Sequence, residues 1–288
     1  MRTKPLQTKM FRKTIRNTIE NAAAHDIGKS AAALTYYLLF ALFTLLIFVS
    51  NLLGLLDLNV DTITRTLLPV MPDDVVHLLE AYLSHINDNS SRVLFWFSLV
   101  FTVWFPMRAV KGLMDDVRLA YQLGKPRKPV WYAIRQFVFT IVFLVFIVVL
   151  FVLAILGRRF ITTVTVWLDL DQFLQIPSVL LDLWQYFRFV LLASLMFAVL
   201  GLLYATAQDR RQGIKTILPG VLLAMVSWLL VSIGFSVYVE QFANYSVIYG
   251  TLGAVIMLLV WLYLTLFILI FGAEFNAALC AIREEKER

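Results

Sequence analysis

Charge is scarce in this chain. Asp, Glu, Lys and Arg make up 15% of the 288 residues, where a soluble domain carries about 25%. Apolar residues reach 60% and the mean hydropathy is +0.80. A water-soluble globule is thereby excluded, and so is disorder, which needs low hydrophobicity. Cysteine occurs once, at Cys280, which excludes an internal disulfide and a metal cluster built on thiolates. Histidine occurs three times, as His25, His77 and His85. With one cysteine they make no nucleophile–base set and no zinc signature of the kind a metal-dependent nuclease needs. A nucleotide-binding loop is missing as well. Gly28-Lys29-Ser30 has the ending of a phosphate loop, but Ala23 stands where its first glycine belongs and no strand precedes it.

What is present is apolar length. Six runs are long enough to cross a bilayer, which takes about 20 residues: Ala31–Leu56, Val93–Gly112, Val130–Leu156, Phe187–Ala207, Ile214–Val239 and Val247–Ala278. They are continuous rather than alternating, so helices and not barrel strands are expected. The predicted fold is an all-α polytopic membrane bundle of six spans with short amphipathic helices. Residues 30–280 form the membrane domain, with a basic amphipathic segment at 1–29 and a tail at 281–288. The first run is too long for a signal-peptide core and no small-residue cleavage site follows it, so an uncleaved span is expected.

Lys and Arg set the orientation. Twenty of the 25 fall before the first span, in the second and fourth connections and in the tail, and five fall on the other side: Arg65, Arg92, Arg158, Arg159 and Arg188. This bias predicts that both termini are cytoplasmic. The pI near 9.4 reflects that retention and does not call for nucleic acid. Outside the spans, Phe11, Ile15, Ile19 and Ala23 recur every four residues among Lys9, Arg12, Lys13 and Arg16. They fit either a helix lying on the inner leaflet or a cap packed on the bundle. Pro72–His85 reads as a short outer helix. Its Asp73, His77, Glu80 and His85 fit a solvated face better than a metal site, and no metal or cofactor is expected. Met107–Leu123 continues the second span as an amphipathic helix ended at Gly124-Lys-Pro126. Trp167 and Trp184 look like interfacial anchors.

Few residues offer chemistry, and no catalytic residue is assigned. Pro106, in Trp104-Phe-Pro-Met-Arg108, should kink the second span, as a hinge or as a static bend. Glu274 and Arg108 both fall near the inner boundary, where charges pair or face water. Glu274 is expected either to pair with Arg108 or Lys111 as an inner gate or to reach the headgroups. No ladder of carboxylates or histidines crosses the spans, so a buried proton relay and an aqueous ion pore are disfavoured. An apolar cavity rimmed with charge suits a lipid-like ligand.

Three stretches then coincide: Ser30-Ala-Ala-Ala-Leu-Thr-Tyr-Tyr37, Tyr249-Gly-Thr-Leu-Gly-Ala-Val255, and Trp261-Leu-Tyr263 leading to Phe271-Gly-Ala-Glu-Phe-Asn276. With six spans and this length, the chain resembles the YihY/virulence factor BrkB family of bacterial inner-membrane proteins over about residues 15–280. That family once carried the name ribonuclease BN. The resemblance implies a multi-pass plasma-membrane protein, not an enzyme, handling lipid-like envelope material, with membrane lipids as its partners and no nucleic acid. It singles out Thr35, Tyr36, Tyr249, Gly250, Gly253, Trp261, Gly272, Glu274 and Asn276, as functional positions or as packing determinants. The alternatives are a scaffold for envelope assembly without transport and, remotely, a membrane nuclease.

Overall fold

The computed structural model describes residues 4–55, 91–167, 178–208, 214–242 and 246–287. Regular structure among them is helical: α1 (Lys4–Ala24), α2 (Ile27–Leu55), α3 (Arg92–Ala120), α4 (Pro129–Trp167), α5 (Ser178–Thr206), α6 (Ile214–Phe242) and α7 (Ser246–Glu287). Helices α2 to α7 each contain a stretch long and apolar enough to span: Ile27–Leu52, Arg92–Ala120, Pro129–Leu150, Phe189–Thr206, Thr216–Glu240 and Leu252–Glu285. The six-span helical membrane protein expected from the sequence is thus what folds. The Pro72–His85 segment with its candidate metal residues lies outside the described residues. So do the side chains of Phe11, Trp167, Trp184 and Tyr249 and the surroundings of Gly250.

Several boundaries differ from expectation, each for a local reason. Span two and its amphipathic extension are one helix as expected, α3, which runs through Pro106. It stops at Ala120 rather than at Gly124-Lys-Pro126, because Gln122 adopts a positive φ of 52°. Gln122 N–H then donates to Leu119 O at 2.8 Å and Leu123 N–H to Arg118 O at 2.9 Å, the two reversed bonds that close a helix C-terminus. The expected tail is helical through Glu287, tied down by the buried Ile282 and by Glu285, whose Oε2 lies 2.6 Å from Lys13 Nζ.

The chain divides into two compact units. One comprises residues 1–40, 105–141 and 197–288; the other comprises 41–104 and 142–196. In the second, Asn51 Oδ1 accepts the Ser91 N–H just ahead of α3 at 3.0 Å, and the Phe48 and Phe95 rings lie 5.5 Å apart. These contacts set the start of α3 against the end of α2. Val93, Trp96, Phe97 and Val100 stay exposed on α3, an apolar face for hydrocarbon.

The first unit is built around the last third of α7. Gly272, Ala273, Glu274, Asn276, Ala277 and Ala278 are all buried, and Phe271, Phe275 and Leu279 leave one half-buried face, so most of this stretch is enclosed. Small residues make that possible. A Cβ on Gly272 would sit 2.6 Å from Tyr204 Oη and 2.7 Å from Ala224 Cβ, and one on Gly220 would sit 2.6 Å from Gly272 O. Close backbone approach through small residues is how membrane helices gain contact when lipid offers no hydrophobic drive.

Two glycines test this packing. Gly272→Ala is expected to cost about 1–3 kcal/mol through overpacking. Gly234→Ala, where an added Cβ meets nothing within 4 Å, is expected to gain about 0.5–1 kcal/mol. Denaturant titration in detergent micelles reads both, and equal effects would contradict a close α6–α7 contact at Gly272.

Candidate functional site

Polar side chains from several elements of the first unit meet α7. Helix α1 arrives first. Its buried stripe is Thr14, Thr18 and Ala22, four residues apart and therefore on one face. These small residues let it lie against α7, and Thr18 Oγ1 donates to Thr14 O at 2.8 Å, so its hydroxyl can be buried at little cost. Ile15 and Ile19 of the expected apolar stripe remain exposed, at 39% and 57%. Helix α1 is thus docked on the bundle and also presents an apolar edge flanked by the exposed Arg12 and Arg16.

Asp26, at φ 50°, closes α1, and its carbonyl accepts the Lys29 and Ser30 N–H groups that start α2. Asp tolerates this left-handed conformation better than most residues. The resulting two-residue corner carries His25 to α7, where its Nδ1 lies 2.6 Å from Glu274 Oε1. Lys13 to His25, the second half of α1 and the first residue of the corner, run against Glu285 to Glu274 of α7, roughly 17 Å of antiparallel helix.

The expected pairing of Glu274 with Arg108 or Lys111 is therefore corrected: its partner is His25. The physical reason is the facing of α3. Arg108 and Lys111 lie on its exposed side, while Ala109, Val110, Leu113 and Met114 face inward. Glu274 has no exposure, and its second oxygen, Oε2, is buried without a hydrogen-bond partner.

Around this pair lie further polar contacts that the sequence alone does not reveal. Ser30 Oγ donates to Asp116 Oδ1 at 2.9 Å, and Asp116 lies within electrostatic reach of Glu274. Asn276, two residues further along α7, has two roles. Its Oδ1 accepts the Gly220 N–H at 3.1 Å beside Pro219 of α6, and its Nδ2 donates to Tyr121 Oη. Burial pushes the Tyr121 phenol up to about 12, against the opposing effect of the Asn276 amide, so it stays neutral at physiological pH. Tyr204, with no exposure, donates to Leu269 O at 2.6 Å.

Arg118 is buried but well supplied with acceptors. Its Nη1 donates to Ala207 O at 3.0 Å and its Nη2 to Gly124 O at 2.7 Å. The guanidinium also stands 5.2 Å from the centre of the Tyr132 ring, whose Oη donates to Asp115 Oδ1 at 2.8 Å. Arg135 Nη1 donates to Gln208 O at 2.8 Å. Two arginines thus cap the carbonyls at the end of α5, where cations are favoured.

The motif positions divide between packing and polar contact. Thr35 is buried and bonds back to Ala31 O at 2.7 Å; Trp261 meets Trp228 edge-on at 6.3 Å; Gly272 and Asn276 join α7 to α5, α6 and the Tyr121 turn. Tyr36 is exposed and Gly253 half-buried. Pro106 is buried inside α3. Among the described residues, no group of three or more His, Cys, Asp or Glu is placed to hold a metal ion.

Arg118→Lys tests the capping fork. A Lys has a single ammonium, so it cannot reach both carbonyls with planar geometry. The variant is expected to lose about 1.5–3 kcal/mol, read by thermal denaturation in detergent. An unchanged melting curve would mean that the two carbonyls do not depend on Arg118.

Residues 18–288 match the family described as virulence factor BrkB. The chain is 27% identical over 255 residues to a ribonuclease-like protein, YfkH, of Bacillus subtilis, covering 88% of this chain and 90% of that one. Shorter matches join it to UPF0761 membrane proteins. One from Alteromonas mediterranea is 36% identical over 95 residues, 33% of this chain and 31% of that one. Another from Aliivibrio salmonicida is 39% identical over 82 residues, 28% and 26% of the two chains. No solved structure matches.

Proposed function

This chain belongs to the virulence factor BrkB family, and from that premise we propose that it moves a lipid-like or amphipathic component of the bacterial envelope across the plasma membrane, with both termini cytoplasmic and without enzymatic activity. The observation that carries this reading is a separation of chemistry. The apolar stretches of the six spans bury only 17–28% of their residues within the chain, which leaves apolar surface for hydrocarbon. The buried side chains of the first unit with the largest polar groups, Glu274, Asn276, Arg118 and Gln208, lie near the Lys- and Arg-rich segments. A molecule with an apolar body and a polar head matches both surroundings. Pro106 takes the role of hinge: it removes a backbone donor inside a span, within a helix that continues through it. The His25–Glu274 pair takes the role of inner gate.

The word ribonuclease in the name of the Bacillus subtilis relative belongs to that protein. Reconstitution separates the readings. Proteoliposomes carrying a fluorescent phospholipid in one leaflet are expected to exchange it faster than empty liposomes. Pro106→Ala is expected to slow that exchange roughly tenfold, about 1.4 kcal/mol in barrier, with the fold retained. Exchange no faster than in empty liposomes would favour a scaffold, and RNA cleavage that stays with the purified protein would favour a nuclease.

A further inference from the structure

Among the described residues, two side chains of charged type are buried, Arg118 and Glu274. Arg118 spends its donors on two carbonyls. Glu274 is less well provided: Oε1 lies 2.6 Å from His25 Nδ1, and Oε2 is buried with no partner. A carboxylate oxygen out of water and without a donor is costly unless a proton joins it. His25, in contrast, keeps 19% of its side chain exposed and stands at a two-residue corner, so it connects the enclosed carboxyl to solvent.

We propose that His25 and Glu274 form a proton-binding site, loaded from solvent through the imidazole, whose occupancy sets whether α1 stays docked on α7. With one proton shared between Nδ1 and Oε1 the pair is neutral and bonded. A second proton, taken from water, leaves an imidazolium beside a neutral acid. The attraction between opposite charges is then gone, and the site holds a net positive charge. The cationic His25 moves out to water while the neutral Glu274 stays enclosed. Docking of α1 then rests on the small stripe Thr14, Thr18 and Ala22 and on the exposed Lys13–Glu285 pair.

The charged groups around the site favour this. On α3 the group is Asp116, within electrostatic reach of Glu274 and held by Ser30, while Arg108, Lys111 and Asp115 lie on the exposed face. At the corner they are Asp26 and Lys29, paired at 2.6 Å. A site that gains positive charge therefore has mainly acidic neighbours. This inference does not rest on lipid transport, and its test involves no lipid movement.

The test uses the full chain in lipid nanodiscs, with pH as the only variable. Cys280→Ser removes the native thiol, and Ala23→Cys with Ala281→Cys, both at exposed positions, carry spin labels on α1 and α7. The short-distance population is expected to fall by about half or more between about pH 8 and about pH 5, the range in which histidine changes charge. Glu274→Gln and His25→Gln are each expected to hold the distance distribution constant over that range, while Glu285→Gln keeps the shift. A parent protein with no pH-dependent distance overturns the proposal. So does a shift that persists in both Glu274→Gln and His25→Gln, or one that vanishes in Glu285→Gln.

Discussion

A carboxyl group enclosed by helices has to be met by a partner brought from elsewhere in the chain, and that requirement organises the first unit. Glu274 has no exposure on a largely buried stretch of α7, so no headgroup or water layer solvates it. Removing one partner from a buried ionic pair costs about 3–5 kcal/mol. The antiparallel docking of α1, the left-handed corner at Asp26 and the small stripe Thr14, Thr18 and Ala22 all serve to deliver His25 to Oε1. The same enclosed stretch recruits Tyr204 and the Gly220 N–H, and it engages Tyr121 through Asn276. The polar network is thus a consequence of threading one polar helix end through the middle of the unit.

The membrane architecture could be read from the sequence because it depends on length and composition, which are local properties. Apolar runs long enough to cross hydrocarbon have no other stable solution, and the observed helices contain every predicted span core apart from a terminal residue or so. The boundaries were harder. Gln122 ends α3 by adopting a left-handed conformation that its side chain does not advertise, while Gly124 and Pro126 offer stronger signals a few residues later.

The site was only half visible. Glu274 stood out because a carboxyl is rare at that depth, and Gly272 and Asn276 came with the family resemblance. Depth alone pairs Glu274 with Arg108 or Lys111, because all three fall near the inner boundary, and depth says nothing of facing. The helix phase of Arg108 and Lys111, fixed by which face of α3 is buried, turns them outward. His25 lies 249 residues from Glu274, ahead of the first span among basic residues, where it reads as a solvated side chain. Only the tertiary path of α1 gives it a role. The same holds for Arg118 and Ser30, whose partners are a helix-end carbonyl and a carboxyl on another element.

The direct measurement is a double-mutant cycle on His25→Ala and Glu274→Ala, with unfolding free energies taken in the same detergent. A buried, charge-assisted hydrogen bond is expected to show a coupling of about 1.5–3 kcal/mol, the second substitution costing much less once the first is present. Strict additivity of the two substitutions would contradict a His25–Glu274 bond and, with it, the anchoring of α1 on α7.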